Sequence, residues 1–204
     1  MAKTDNSSLI VRNVREWDSV AAIARCIHLT DNYIYPQICT DPKDLLWIEY
    51  VDMCLHQKDN LFFKDNLMVA EAESEICGFF CVIQGGREYV SECKDAEICN
   101  TDAFVRVSEG YFEPLINENL RITGATLTNL CVLPDFRNRH VGQALLGKCI
   151  EVYGRQDIHL DVLAENDVAK GLYKKNGFVP TEYYDGFGNG ATVPCVHMMR
   201  EASN

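Results

Sequence analysis

The run LCVLPDFRNRHVGQALL, residues 130 to 146, is the stretch of this chain whose residue types and spacing can do chemistry. An apolar segment ends at Pro134, a basic loop with Arg137, Arg139 and His140 follows, and Gly142 stands at the start of an apolar-periodic segment. A strand, a basic loop and a helix start in that order make an anion site. The first-turn N–H groups have no intrahelical partners, the helix dipole adds partial positive charge, and a glycine lets a phosphate come close. The two arginines and His140 raise the local potential in a chain whose formal net charge is −11. Neither GxGxxG after a strand nor GxxxxGK followed by Ser or Thr occurs, which disfavours dinucleotide and nucleoside-triphosphate sites.

The elements that must position this site follow from periodicity. Ala125 to Leu133 reads as a strand stopped by Pro134, and Val141 to Tyr153 has the apolar spacing of a buried helix. Ile158 to Leu163 is a strand. Asn166 is a good N-cap for a helix whose end is marked by Asn176-Gly177. Phe178 to Tyr184 and Val193 to Met199 read as strands bracketing the turn-rich GFGNG, residues 186–190. Upstream, Leu9 to Arg12 reads as a strand, and Val14, Trp17, Val20, Ala24 and Ile27 share one face of a helical stretch. A loop from Thr30 to Pro42 carries Tyr33 and Tyr35, Asp44 to His56 looks helical, and Leu67 to Glu71 with Ile76 to Ile83 form a hairpin. Residues 85–123 carry scattered acids, a turn at Gly110 and a Glu113-Pro114 step suited to opening a short helix. The whole describes a mixed sheet with helices on both faces.

The chemistry-bearing run resembles the acetyl-CoA-binding motif of the GNAT N-acetyltransferases. That signature is Arg or Gln, two residues, Gly, one residue, then Gly or Ala; Arg139, Gly142 and Ala144 match it. The family's L-x-V-x-P-x-x-R run is matched by Leu130, Val132, Pro134 and Arg137. Its L-x-V-x-x-x-N strand end is matched by Leu160, Val162 and Asn166, and its A-x-x-L-Y-x-x-x-G-F block by Ala169, Leu172, Tyr173, Gly177 and Phe178. The resemblance implies an α/β fold with a mostly antiparallel sheet, a parallel pair splayed at the coenzyme A site and helices on both faces. It implies one domain over residues 9–200, with 85–123 an insertion between the third and fourth strands that lines or lids the acceptor site.

The resemblance also implies roles. The backbone of Leu130, Cys131 and Val132 pairs with the pantetheine arm of acetyl-CoA, and the Val132 amide is placed to bind the thioester oxygen. The amides of Asn138, Arg139, His140, Val141, Gly142, Gln143 and Ala144 cradle the pyrophosphate, with Arg137 beside it, and Asn166 contacts the pantetheine or the departing thiol. An acetyl group then passes from acetyl-CoA to an amine by direct attack in a ternary complex. Tyr173 matches the family's usual acid; by spacing alone it shares a helix face with Ala169 and packs in the core. Asp161 matches a carboxylate that serves some members as base, and a satisfied sheet aspartate, a base reached through water or no dedicated base are the alternatives. Others use a glutamate on the strand before the loop, where this chain has Thr126 and Thr128, neither of which can serve. A different class of function fits the same fold: a non-catalytic acyl-CoA-binding sensor or scaffold.

Composition bounds the rest. At 204 residues, 47% hydrophobic and 24% charged, the chain suits one ordinary core rather than disorder. Its acidity argues against nucleic acid or an anionic membrane as partner and favours a cationic or amine one; the family resemblance implies a small-molecule or peptide amine acceptor. Ten cysteines show no CxxC pair and sit mostly in apolar runs, as expected of buried, reduced thiols, and no metal site is expected. The remaining histidines, His28, His56, His159 and His197, form no ligand or triad spacing and read as structural or surface. Without a signal-peptide core in MAKTDNSSLI or a long apolar span, a cytoplasmic protein is expected, as monomer or homodimer.

Overall fold

The computed structural model describes residues 9–187 and 192–203; residues 188–190 of the expected GFGNG turn and most of the MAKTDNSSLI segment lie outside them. Seven strands form one sheet: β1 (Ile10–Asn13), β2 (Leu67–Ala72), β3 (Glu75–Gln84), β4 (Ala125–Val132), β5 (Ile158–Leu163), β6 (Val179–Phe187) and β7 (Thr192–Arg200). Their order across the sheet is β1-β2-β3-β4-β5-β7-β6. Every neighbouring pair is antiparallel except β4 and β5. The β2–β3 turn is the two-residue kind expected of a tight hairpin, with Glu73 and Ser74 both left-handed.

The helices are α1 (Val20–His28), α2 (Tyr35–Ile38), α3 (Leu45–His56), α4 (Asp102–Val107), α5 (Glu113–Asn119), α6 (Val141–Tyr153) and α7 (Asp167–Lys175). None among the described residues is long and apolar enough to cross a membrane. Helix α1 starts at Val20 because Ser19 caps it, its side chain accepting from the Ala22 N–H. The longer helical face expected from Val14 is therefore cut short, and Trp17 lies exposed ahead of the cap. Asp44 caps α3 in the same way through the Leu46 N–H.

Two apolar layers sandwich the sheet. On one face α1, α2 and α3 pack on Val69, Phe79, Cys81 and Cys131. On the other, α6 and the Tyr173 side of α7 cover Phe80, Val82, Leu127 and Leu160. Strand alternation sorts β3 cleanly between them, Phe79 and Cys81 to one side, Phe80 and Val82 to the other. Residues 85–123 have no separate core. Tyr89, Cys93, Phe104, Val107 and Phe112 join the α1–α3 layer, and α4 runs into α5 through a π-helical turn, Ser108–Phe112. Buried Asn119 ties the end of α5 to the sheet by donating to the Gln84 carbonyl and accepting from the Thr126 hydroxyl. All ten cysteines are free, and the Cys54 and Cys93 sulfurs lie 3.4 Å apart.

Candidate active site

The site begins with a defect in the sheet. Strand β4 pairs with β3 along its whole length but with β5 only at Ala125 and Thr126. Between Leu127 and Asn129, which face Val82 and Cys81, β4 carries one extra residue, Thr128. Such a bulge bends its strand and sharpens the twist, and here it coincides with the point where β4 leaves β5. The Leu133 N–H bonds the Cys77 carbonyl, so by antiparallel alternation the N–H groups of Val132 and Leu130 face away from β3, into the opening. Gly78, opposite Val132, cannot carry a side chain, since a Cβ would lie 2.6 Å from the Cys131 carbonyl oxygen.

At the far end of β4 the chain turns through Pro134–Phe136 into the basic loop. Asn138 and His140 are both left-handed, and His140 stands at the N-cap position of α6 without a capping bond from its side chain. Successive amides from Asn138 to Gln143 have no main-chain partner among the described residues; the helix ladder starts with the Ala144 N–H bonding the His140 carbonyl. Alternating left-handed residues with convergent N–H groups form an anion nest, and the uncapped helix end adds its dipole. A Cβ on Gly142 would meet only Leu172 and Val132 side chains, at 3.5 and 3.7 Å. The fold therefore tolerates a side chain there, and the glycine keeps space open for something else. Arg137 donates from Nε to the Val132 carbonyl at 3.3 Å, while Arg139 stacks over Phe136 and lies 3.9 Å from Glu73. An open strand edge and a nest of this kind suit an extended amide-bearing arm and a polyanion.

The other end of the opening, beside Thr126 and Thr128, is a cavity of about 180 Å³. Three carboxylates face it: Asp31 from the loop before α2, Glu118 from α5 and Asp161 from β5. No lysine or arginine is among its described lining residues. Burial raises the Asp31 carboxyl against the pull of the Tyr33 and Ile34 amides, and burial plus the charge of Asp161 raises Glu118. The insertion supplies Gly110, Tyr111, Pro114, Leu115 and Glu118 to the wall, one face of the π-turn and α5. Tyr35, by contrast, is core, its hydroxyl taking a bond from Asn129, while the Tyr33 hydroxyl reaches Glu165 at 3.1 Å.

Asp161 does not stand alone. Its Oδ1 accepts from Nδ1 of His197, directly opposite on β7, at 2.8 Å, and Nε2 of His197 lies 3.1 Å from Nδ1 of His159. Nothing in the spacing of these histidines along the chain groups them. Alternation puts 159 and 161 on one face of β5, but only the β5–β7 register, 36 residues apart, brings in His197. Glu118 was missed for the same kind of reason, since a short helix in an insertion carries no motif. Tyr173 lies in the other layer, 8% exposed, with its ring 5.8 Å from Phe178 and no side chain among the described residues holding its hydroxyl. Burial pushes its phenol well above the ordinary value. It does not line the acidic cavity that Asp161 faces. Asn166 caps α7, its Oδ1 accepting from the Ala169 N–H at 3.1 Å. No group of three or more His, Cys, Asp or Glu suited to a metal occurs among the described residues.

The fold that carries these features is shared with solved acetyltransferase structures. The crystal structure of an N-acetyltransferase from Staphylococcus aureus Mu50 superposes with a TM-score of 0.62 at 14% identity, covering 93% of this chain and 99% of that one. The NatC complex bound to Gag peptide and CoA gives a TM-score of 0.60 at 12% identity, covering 96% and 99%. In sequence, a Bacillus subtilis (strain 168) protein assigned as alanine N-acetyltransferase of ribosomal protein bS18 is 32% identical over 76 residues, 34% of this chain. The match spans 50% of that relative's length. The family model described as the acetyltransferase (GNAT) domain matches residues 63–180. That is more than half of the chain and includes the bulged strand, the nest and Tyr173, so the chain belongs to the GNAT acetyltransferase family.

Proposed function

We propose that this protein transfers an acetyl group from acetyl-CoA to a primary amine in a ternary complex. One observation carries the reading: a single opening between β4 and β5 joins an uncapped helix start, suited to a pyrophosphate, to a cavity of three carboxylates, suited to an ammonium. The amides of Asn138 to Gln143 and the side chains of Arg137 and Arg139 hold the anionic end. The exposed edge of Leu130 to Val132 pairs with the amide-bearing arm, as another strand would. The Val132 N–H faces the thioester oxygen, where it stabilises the charge that develops during attack.

At the other end Asp31, Glu118 and Asp161 gather the cationic acceptor. The amine must lose a proton to become a nucleophile, and Asp161 is the group proposed to take it. As the amine nitrogen forms the new C–N bond, the C–S bond breaks and the sulfur leaves as a thiolate. Tyr173, kept protonated by burial, donates a hydrogen bond to that thiolate. Full proton transfer follows to the extent that the same burial raises the thiol. The reading is tested by incubating the protein with acetyl-CoA and a panel of amines, including a peptide N-terminus and diamines, and detecting acetylated product by mass spectrometry. Product formed by the wild type and reduced at least about 100-fold in Asp161→Asn is expected. Acetyl-CoA binding without any product across the panel would favour the sensor over the enzyme.

A further inference from the structure

Asp161 sits where the sheet opens, so β4 offers it no neighbour beyond Thr126. A carboxylate in that position is free to rotate unless something pins it. His197 does so, its Nδ1–H taking one carboxylate oxygen beside the cavity, and the Tyr184 side chain is also hydrogen-bonded to Asp161. Behind it His159 closes the chain, and the Thr123 main chain hydrogen-bonds His159 in turn. We infer that His197 is a positioning residue for the transfer: its hydrogen bond aims Asp161 at the amine, and its own charge decides whether Asp161 can accept a proton. This rests on the proposed acetyl transfer and adds to it a second residue and a pH dependence.

The groups facing His197 come from three elements: Asp161 and His159 from β5, Glu182 opposite it on β6 with Tyr184 of the same strand beside Asp161, and Glu118 from α5. The Asp161 hydrogen bond raises His197 above its ordinary 6.5, against burial, with Glu118 and Glu182 adding to the rise. Burial and the neighbouring His197 lower His159. The favoured state therefore has the proton on His197, with Nδ1–H donating to Asp161 and Nε2–H donating to a neutral His159. An imidazolium hydrogen-bonded to a carboxylate makes it a poorer base and cancels its attraction for an ammonium. Because the His197 value is raised, its charged form persists above pH 6.5 and is lost as pH rises through the folded value. Turnover then rises through that same interval, as the Asp161 carboxylate is released from its cationic partner.

The experiment has two arms on the full chain. In the first, kcat is followed against pH at saturating acetyl-CoA and amine for wild type, His197→Asn and His197→Ala. Asn keeps a donor for Asp161 and cannot titrate; Ala removes both. The expected result is a wild-type acid limb above pH 6.5. In His197→Asn it moves down by about one unit or more, with the plateau kept within about threefold. His197→Ala is expected to move the limb in the same way and also to lose about 10- to 100-fold of the plateau. An unmoved limb in His197→Asn overturns the inference and hands the titration to Glu118 or the amine. In the second arm, imidazole NMR titration of wild type and Asp161→Asn needs no turnover. His197 titrating above 6.5 in wild type and falling back in Asp161→Asn supports the coupling. A value at or below 6.5, or one unchanged by Asp161→Asn, overturns it. Failure of every amine to react while the NMR coupling holds would count against acetyl transfer and not against the Asp161–His197 pair.

Discussion

Substituting Gly142 separates what the fold needs from what a ligand needs. A methyl at this position meets Leu172 and Val132 at ordinary van der Waals distance, and the backbone is helical. Gly142→Ala should thus gain about 0.5–1 kcal/mol from reduced chain entropy, a rise in Tm of roughly 1–4 °C for a domain of this size. Gly142→Glu cannot bury its longer side chain between Leu172 and Val132 and must turn it across the start of α6. There a carboxylate shields the Gly142 and Gln143 amides from a phosphate and repels it. Charge-assisted hydrogen bonds contribute about 1.5–3 kcal/mol each, so losing two weakens acetyl-CoA by about 3–6 kcal/mol, roughly 10²- to 10⁴-fold. Calorimetric titration of acetyl-CoA into wild type and both variants, with thermal melts alongside, measures each quantity. A folded Gly142→Glu protein that titrates like wild type would falsify the nest as the cofactor site. A Gly142→Ala protein that melts lower than wild type would show the glycine to be a demand of the fold.

Tyr173→Phe removes a hydroxyl that no side chain holds, so the melt should stay within about 0.5 kcal/mol of wild type. Turnover should fall by roughly 10- to 10⁴-fold with acetyl-CoA affinity unchanged, and full activity would demote Tyr173 to packing against Phe178. Glu118→Gln should raise KM for the amine by about 5- to 50-fold, through loss of one ammonium contact in a partly buried site. Its acetyl-CoA titration should not move, and an unaltered amine KM would remove Glu118 from the acceptor cavity. At the amino-terminal end of the sheet, Arg12 clamps Asp18 and Glu71. Burial by itself would raise Asp18, but the Arg12 hydrogen bonds and charge and the Arg15 amide hold it below its ordinary 3.8. A lowered carboxyl stabilises above its unfolded value and ceases to as pH falls through the folded one. The urea midpoint of Asp18→Asn should therefore trail wild type at pH 7 and converge on it as pH falls below 3.8; a constant gap would mean the effect is not electrostatic.

The sequence disclosed the half of the site that is local. Residues 130–146 carry strand end, proline, basic loop and glycine within one contiguous run, and the ends of α6 and β5 coincide with those read from periodicity. Asn166 was legible as a cap because capping is an affair of three residues. Where contacts are non-local the sequence was mute or misleading. The apolar spacing from Val14 promised a longer first helix, and Ser19 overrode it. The helices of residues 102–119 are short and become stable only by sharing a core with α1 and α3, so no periodicity of their own announced them.

The bulge at Thr128 links these halves. A β4 in unbroken register with both neighbours would spend its N–H groups on β5, and neither a strand edge for the pantetheine arm nor an acidic cavity could exist. One extra residue lets β4 keep its ladder with β3 while departing from β5 after Thr126. The opening is polarised because its two ends draw on different parts of the chain. The nest end comes from the loop after β4 itself, whereas the acidic end is assembled from the Asp31 loop, the insertion and β5. On the proposed reading, cofactor recognition sits within one motif, and acceptor recognition sits in segments free to vary without disturbing it. Asp161 belongs to both regimes. Its place on β5 is fixed by the sheet, yet its orientation depends on His197 across the register. That dependence makes the proposed base sensitive to β7 in a way no residue of the cofactor motif is.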